Sequence, residues 1–355
     1  MRELTRIFRR YSRNFPTSGS PFYGALAERL ADALEAGSEL GGLFAPWADF
    51  DVAALMDDNT VLRFYGALHD LALSGDEPAF TESFPTRSRP VGDPPAAWVE
   101  LQRVLVEHHD RLAAFMSHEP QTNEVRRSAC LLGGFLTVAQ ETKQPLRVFE
   151  MGASAGLNQF WDRFHYDFGD GGAWGNPASP VRIRSDWRGA AAPFEAPLQV
   201  IERAACDRRP VRLADPLERR RLMAYLWPGQ FERFDVIGPA IDAARTWGAE
   251  VEVADAPAWV AATAAPMPGA ATVVYHSIFW HYMPPQSQAA ARVAIEAHGA
   301  AATPDAPFAW LGMESDPTER YQTKLRLRLW PGGDERTLAT VSGHGAWTEW
   351  RAALT

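Results

Sequence analysis

The sequence is poor in cysteine: Cys130 and Cys206 are the only two among its 355 residues. Two thiols cannot build the disulfide framework of a small secreted domain, and no pair has the CxxC spacing of a zinc site. The sequence therefore predicts a protein of a reducing compartment, the cytoplasm, and it predicts no metal site.

Long apolar runs and excess positive charge are also lacking. No run approaches the length of about 18 residues that a membrane-spanning helix needs, and the most apolar stretch, 129–139, contains two glycines. The 35 basic and 44 acidic residues give a net charge of -9, which makes the chain a poor ligand for a phosphate backbone. We therefore expect a small-molecule partner, with neither nucleic acid nor a membrane, and the sequence leaves the oligomeric state open.

The first 120 residues have helical periodicity, as in Leu26, Leu30 and Leu34, and no clear strand precedes residue 145. The N-terminal arginines give the first segment the composition of a transit peptide, but the acidic Glu3 and the lack of a processing site favour an amphipathic surface helix. Residues 1–120 are thus predicted to form a helical domain that serves as a lid or substrate cap.

After residue 145, short apolar runs alternate with helical stretches, which predicts βαβ units and a mostly parallel sheet. Residues 121–355 are predicted to form one α/β domain whose first helix, capped by Thr122 or Asn123, ends near Thr142, with an insertion at about 165–197. A terminal hairpin around Pro331-Gly-Gly-Asp334 completes seven strands. The five strands before the hairpin are expected near 146–149, 198–204, 251–254, 271–276 and 308–313.

The most informative motif is Glu150-Met-Gly-Ala-Ser-Ala-Gly-Leu-Asn158, which lies at a predicted strand-to-helix turn. It resembles the acidic residue and Gly-x-Gly-x-Gly of class I S-adenosylmethionine (SAM) enzymes, with Ser154 in place of the middle glycine. It also matches the G-x-S-x-G nucleophile elbow of hydrolases. A dinucleotide fingerprint does not fit, because residues 154 and 157 are not glycine. A tight turn without a ligand is the fourth interpretation.

Polar residues at successive strand ends favour the SAM interpretation, because ligands bind at the carboxyl edge of such sheets. His276 follows the fourth strand and is the predicted general base, with Glu314 and His344 as alternatives. The predicted cofactor-binding residues are Glu150, Gly152, Ser154, Gly156, Asn158, Asp207 and Asp255.

A serine hydrolase remains an alternative. It requires the chain order Ser, acid, His, which Ser154, then Asp255 or Glu314, then His344 satisfy. No oxyanion loop of the HGG type precedes the serine. A third possibility is a SAM-fold binding module that has lost its catalytic activity.

Several segments together resemble a bacterial domain-of-unknown-function family, number twenty-three thirty-two. The resemblance covers nearly the whole chain, although 203–207 lacks the glycine that the family form has before the acid. It implies a Rossmann-like class I methyltransferase fold with a helical N-terminal part, and it assigns no catalytic residues. The predicted function is methyl transfer from SAM to a small-molecule acceptor. The arginines near residue 208 favour an anionic acceptor. The segments are Gln121–Val125, Glu150–Asn158, Asp162–Tyr166, Trp227–Gln230 and His344–Trp347 with Trp350.

Overall fold

The computed structural model describes residues 2–319 and 322–351. The chain forms two compact units. Unit 1 contains the residues up to Thr122 together with Ala214–Asp235, and unit 2 contains Asn123–Leu213 and the residues from Val236 onward. Unit 1 therefore includes a later segment that its sequence position alone does not assign to it.

The secondary structure is α/β, and none of the described helices is both long and apolar enough to cross a membrane. The helices are α1 (Arg2–Thr17), α2 (Pro21–Glu35), α3 (Val52–Asp57), α4 (Thr60–Ser74), α5 (Pro78–Glu82), α6 (Pro94–Glu107), α7 (His109–Met116), α8 (Arg127–Thr142), α9 (Pro216–Ala224), α10 (Phe231–Trp247), α11 (Ala256–Thr263) and α12 (Pro285–Ala301). The strands are β1 (Leu146–Met151), β2 (His165–Asp167), β3 (Ala173–Gly175), β4 (Arg182–Arg184), β5 (Asp186–Gly189), β6 (Val200–Asp207), β7 (Glu252–Val253), β8 (Ala271–Ser277), β9 (Phe308–Ser315), β10 (Thr323–Trp330), β11 (Glu335–Val341) and β12 (Trp347–Trp350).

Unit 1 is helical, and an aromatic cluster fills its core. The rings of Tyr23 and Tyr65 lie 4.3 Å apart, and each hydroxyl donates to the other residue's backbone carbonyl. Phe8 and Phe15 pack edge-on against Tyr65. These reciprocal hydrogen bonds satisfy two buried hydroxyls, which would otherwise destabilise the core.

The large sheet lies in unit 2 and has the strand order β5-β12-β11-β10-β9-β8-β1-β6-β7. Neighbouring strands are parallel along β7-β6-β1-β8-β9. They are antiparallel along β9-β10-β11-β12. The predicted strands and the terminal hairpin are confirmed, but the predicted count of seven is wrong because the sheet has nine strands. The two additional strands are β12 and β5, which pair with each other.

The insertion accounts for β5. Three of its strands form a small separate sheet in the order β3-β2-β4, and the chain then enters the edge of the large sheet as β5. Short strands of three or four residues give little local signal, because their pairing depends on distant partners.

The two faces of the large sheet are covered by different helices, and strand alternation decides which residues face each of them. Phe149 of β1 and Val274 of β8 are register partners and share a core cluster with Trp259 of α11 and Ile295 of α12. Glu150 and Tyr275, the next register pair, point to the opposite face. There the Tyr275 ring meets Phe135 of α8 at 5.0 Å.

Three helix boundaries differ from the sequence prediction. Within the first 120 residues, for which helical periodicity was predicted, the chain breaks at His108 between α6 and α7. Helix α8 begins at Arg127, because the Asn123 side chain does not cap it and instead accepts a hydrogen bond from the backbone of Leu157. The helix predicted to follow the Glu150–Asn158 turn is a short 3-10 helix, Leu157–Arg163, with a kink at Phe160.

We predict that Phe135→Ala strongly destabilises unit 2. The ring is fully buried and stacks on Trp161 at 4.0 Å. Its removal should lower the free energy of unfolding by about 3–5 kcal/mol, as measured by urea denaturation. The exposed Val293→Ala on α12 is the control and should change stability by less than about 0.5 kcal/mol. Equal stability of the two variants would contradict this prediction.

Candidate functional site

The turn after β1 passes through the left-handed backbone region at three alternate residues, Gly152, Ser154 and Gly156, with φ of 66°, 54° and 70°. Glycine adopts this conformation without strain, whereas Ser154 does so at some cost in free energy. A Cβ atom on Gly152 would overlap the ring of Phe279. The spacing that the sequence motif shows is therefore required by the backbone.

Asp207 joins this turn to the end of β6. Its two carboxylate oxygens accept backbone hydrogen bonds from Ser154 at 2.9 Å and from Arg209 at 2.8 Å. The N–H of Leu157 donates to Asn123 at 2.9 Å, and that of Gly156 to the carbonyl of Ala153. These backbone donors thus have partners within the chain, so the turn does not present them as a free anion-binding site.

Glu150 and Tyr275 on the α8 face, with Ser154 and Asn158 of the segment that follows β1, are buried polar residues that we call the Glu150 cluster. The Tyr275 hydroxyl lies 3.1 Å from Glu150 Oε2 and 3.4 Å from the carbonyl of Asn158. Burial, together with the nearby charge of Asp207, raises the pKa of Glu150 to about 8, against the opposing effects of Tyr275 and Arg127. Glu150 is therefore mostly a neutral acid at pH 7.

Two polar atoms of the Glu150 cluster lack a partner. Ser154 Oγ and Asn158 Oδ1 have no hydrogen bond, although the two residues are only 6% and 1% exposed. Buried polar atoms are almost always hydrogen-bonded to protein, water or a ligand. These two atoms therefore indicate a place where a polar group from outside the chain would be stabilised.

His276 and Glu314 form a second group on the opposite face, together with Trp310 of β9. His276 Nδ1 lies 2.6 Å from Glu314 Oε1, and its Nε2 accepts the indole N–H of Trp310 at 2.9 Å. The accepting Nε2 carries no proton, so the neutral ring holds its proton on Nδ1 and donates it to Glu314. We call these three residues the His276 cluster.

Glu314 also fixes the chain that follows β8. Its Oε1 accepts the backbone N–H groups of Phe279 at 2.9 Å and Trp280 at 3.1 Å. Burial acts to raise the pKa of Glu314, but the hydrogen bonds from His276 and the Phe279 N–H, together with the nearby His281, outweigh it and hold the pKa well below its usual range. Glu314 is therefore an ionised anchor for residues 279 and 280.

Both ring nitrogens of His276 are engaged in hydrogen bonds, and its role as a general base stays a prediction. To accept a substrate proton, Nε2 would first have to lose its hydrogen bond from Trp310. The half-exposed His281 is more accessible, and its Nδ1 lies 3.8 Å from Glu314 Oε2. The sequence pattern assigns His281 no function, because its relation to Glu314 depends on the local 3-10 helix Trp280–Tyr282.

Two predicted residues lie apart from these clusters. His344 is exposed, and its Nδ1 lies 3.7 Å from a carboxylate oxygen of Glu124. Asp255 is also exposed and precedes α11, without capping it through its side chain. Among the described residues, neither side chain forms a hydrogen bond with His276 or Glu314.

The structure thus brings the predicted residues together in two clusters and not in one. Glu150 and His276 lie at the ends of the neighbouring strands β1 and β8, where Glu150 pairs with Tyr275, the residue before His276. Strand alternation therefore directs the two side chains to opposite faces of the sheet. Tyr275 and Trp310 complete the clusters, while Asn123 and Phe279 contact the turn after β1, and none of the four was predicted as a site residue. Only Tyr275 had a signal there, as a phenolic hydroxyl next to His276 in a mostly apolar strand.

Unit 1 has a separate acidic group that contains Glu77, Glu107 and His108. Their donor atoms lie within 4.8 Å of one another. Arg103 forms ion pairs with both carboxylates, and its hydrogen bond, with that of His108, lowers the pKa of Glu77 to about 2. The guanidinium already supplies positive charge to this group.

We predict that Glu150 makes stability depend on pH. Folding raises its pKa from 4.5 to about 8, so this contribution is fully present below about pH 4.5 and is lost as the pH rises to about 8. Relative to Glu150→Gln, the wild type should lose on the order of 3–4 kcal/mol between about pH 5 and 8, at 1.36 kcal/mol per pKa unit. Urea midpoints across this range test the difference, with exposed Glu349→Gln as the control. Parallel pH profiles for wild type and Glu150→Gln would contradict it.

Comparison with known proteins identifies the family of this chain. No curated protein and no solved structure matches the chain. The model of a family described as "Uncharacterized protein conserved in bacteria" (DUF2332) matches residues 5–350, which is almost the whole chain. The match confirms the resemblance drawn from several segments of the sequence, and the chain belongs to the DUF2332 family.

Proposed function

We propose that this protein is a SAM-dependent methyltransferase with a Rossmann-like fold and a small-molecule acceptor. One observation carries the proposal: the Glu150–Gly156 turn lies at the end of β1, the central one of five parallel strands in a sheet with helices on both faces. If the parallel strands β1, β6, β7, β8 and β9 are numbered one to five in chain order, they lie side by side in the order 3-2-1-4-5. The order reverses between β1 and β8, and ligands of such sheets bind in the crevice at that point.

The donor and acceptor chemistry of the Glu150 cluster fits SAM. The ammonium group and ribose hydroxyls of SAM are hydrogen-bond donors, and they require acceptors. Asn158 Oδ1 is a buried acceptor without a partner, Ser154 Oγ can accept as well, and Asp207 carries lone pairs beyond its two backbone bonds. A cofactor would satisfy atoms that the chain leaves unsatisfied.

In this proposal each residue has a limited task. Glu150, Ser154 and Asn158 would hold the amino-acid end, and Asp207 and Asp255 the nucleoside end. When bound, SAM supplies an already activated methyl group, so the protein mainly aligns the acceptor. Arg203 does not add a free charge for an anionic acceptor, because it pairs with Asp162 at 2.8 Å.

Acid–base chemistry is needed only when the acceptor is a hydroxyl or an ammonium group. We assign it to His281 with Glu314 as its carboxylate, and we assign His276 the positioning of Glu314 through their 2.6 Å contact. His344 remains a reserve on the exposed surface. This arrangement keeps the predicted residues His276 and Glu314 in the site but changes the task of His276.

We predict that S-adenosylhomocysteine binds the wild type and that Asn158→Ala and Asp207→Asn each weaken binding at least about tenfold. Each variant removes an acceptor, and an unpaired donor on the ligand costs about 1–3 kcal/mol. Isothermal titration calorimetry measures the affinities. The control, Asp334→Asn, lies in the exposed turn between β10 and β11 and should bind as the wild type does. No heat with the folded wild type would exclude the cofactor.

A serine hydrolase is the second candidate, because Ser154 has the left-handed conformation of a G-x-S-x-G elbow. Its Oγ has no hydrogen-bond partner, and so it lacks the histidine that would activate it. We therefore predict that a fluorophosphonate probe leaves Ser154 unlabelled, as detected by mass spectrometry of the peptide. Labelling that Ser154→Ala abolishes would favour the hydrolase instead.

A further inference from the structure

The side chain of Phe279 lies directly on the glycine turn. A Cβ atom at Gly152 would overlap three atoms of its ring, so the ring fills the space that a side chain would otherwise take. A ligand that approaches the backbone of Gly152 from this side must use the same space. In this structure Phe279 therefore covers the turn on which the proposed cofactor site is built.

The chain holds Phe279 in this position against a local strain. Ile278, the preceding residue, has φ of 48°, which is unusual for a β-branched side chain. Its N–H donates to the carbonyl of Met313 at 2.8 Å, while the next two N–H groups donate to Glu314. A strained conformation persists only where its surroundings enforce it, and such strain is concentrated at functional sites.

The hydrogen bonds that enforce the strain converge on one atom. Glu314 Oε1 accepts hydrogen bonds from the backbone N–H groups of Phe279 and Trp280 and from Nδ1–H of His276. If this contact weakens, the backbone at Ile278 can leave the left-handed region and carry the ring away from Gly152. Glu314 would then act as a latch, with His276 as its positioning residue.

We propose that Phe279 is a movable cover of the cofactor site, latched by Glu314 and displaced when the ligand binds. This inference rests on the proposed function, since it names the residue that controls access to the same site. Opening frees the space against Gly152, where a ligand can approach the backbone of the turn. Closure without a ligand keeps the ring packed on the turn.

The first experiment compares the affinity of S-adenosylhomocysteine for the wild type and Phe279→Ala by calorimetry. A ligand that must displace the ring pays for the lost packing, so the truncated variant should bind at least tenfold more tightly. Tyr282→Ala is the matched control, because this exposed aromatic residue lies on the same segment, and it should bind as the wild type does. Thermal unfolding confirms that each variant is folded.

The outcomes separate the two proposals. Equal affinity for wild type and Phe279→Ala, or weaker binding by the variant, would overturn the cover, because Phe279 would then be a fixed wall of the pocket. If no folded variant binds S-adenosylhomocysteine, the proposed cofactor is wrong. The movement of Phe279 is then tested without a ligand.

A ligand-free measurement decides the movement. With Phe279→4-fluorophenylalanine, the ¹⁹F spectrum should show one dominant buried resonance, and Glu314→Gln should add a second, solvent-exposed resonance. Gln retains an oxygen acceptor but lacks the charge that strengthens all three hydrogen bonds. Glu319→Gln, outside these contacts, should leave the spectrum unchanged. A single unchanged resonance in Glu314→Gln would refute the latch.

Discussion

The organisation of unit 2 depends on the alternating left-handed backbone of the turn after β1. This conformation directs the N–H of Ser154 to Asp207 and so ties the end of β1 to the end of β6. It also leaves Gly152 without a side chain at the place where the ring of Phe279 packs. One short segment thus sets the distances between three neighbouring strand ends.

Strand alternation then divides the polar residues of this edge between the two faces of the sheet. Glu150 is buried and mostly neutral beneath α8, whereas Glu314 is ionised on the face of α11 and α12. Burial acts on both carboxyl groups in the same direction. The difference arises because Glu314 receives three N–H donors on one oxygen, while Glu150 has the hydroxyl of Tyr275 and the repulsion of Asp207.

The helical part shows how local and distant interactions contribute differently. Its helices follow the apolar periodicity of the sequence, as at Leu26 and Leu30, which are both buried. The break at His108 had no comparable signal, because no proline or glycine precedes α7 there. His108 contacts Glu77, which is distant in sequence, at 2.5 Å, and such a partner cannot be read from the local pattern.

The sequence by itself determined the alternation of strands and helices after residue 145, the terminal hairpin and the importance of the Glu150–Asn158 turn. Apolar periodicity and glycine placement are local properties, so the pattern reveals them directly. Only the tertiary structure decided that Asn123 binds Leu157 instead of capping α8, that Trp310 occupies Nε2 of His276, and that Phe279 covers Gly152. These contacts join residues 30 or more positions apart, so no local pattern contains them. The contact of Trp310 with His276 also depends on the register of β8 and β9, because a shift by one residue would turn Trp310 to the other face.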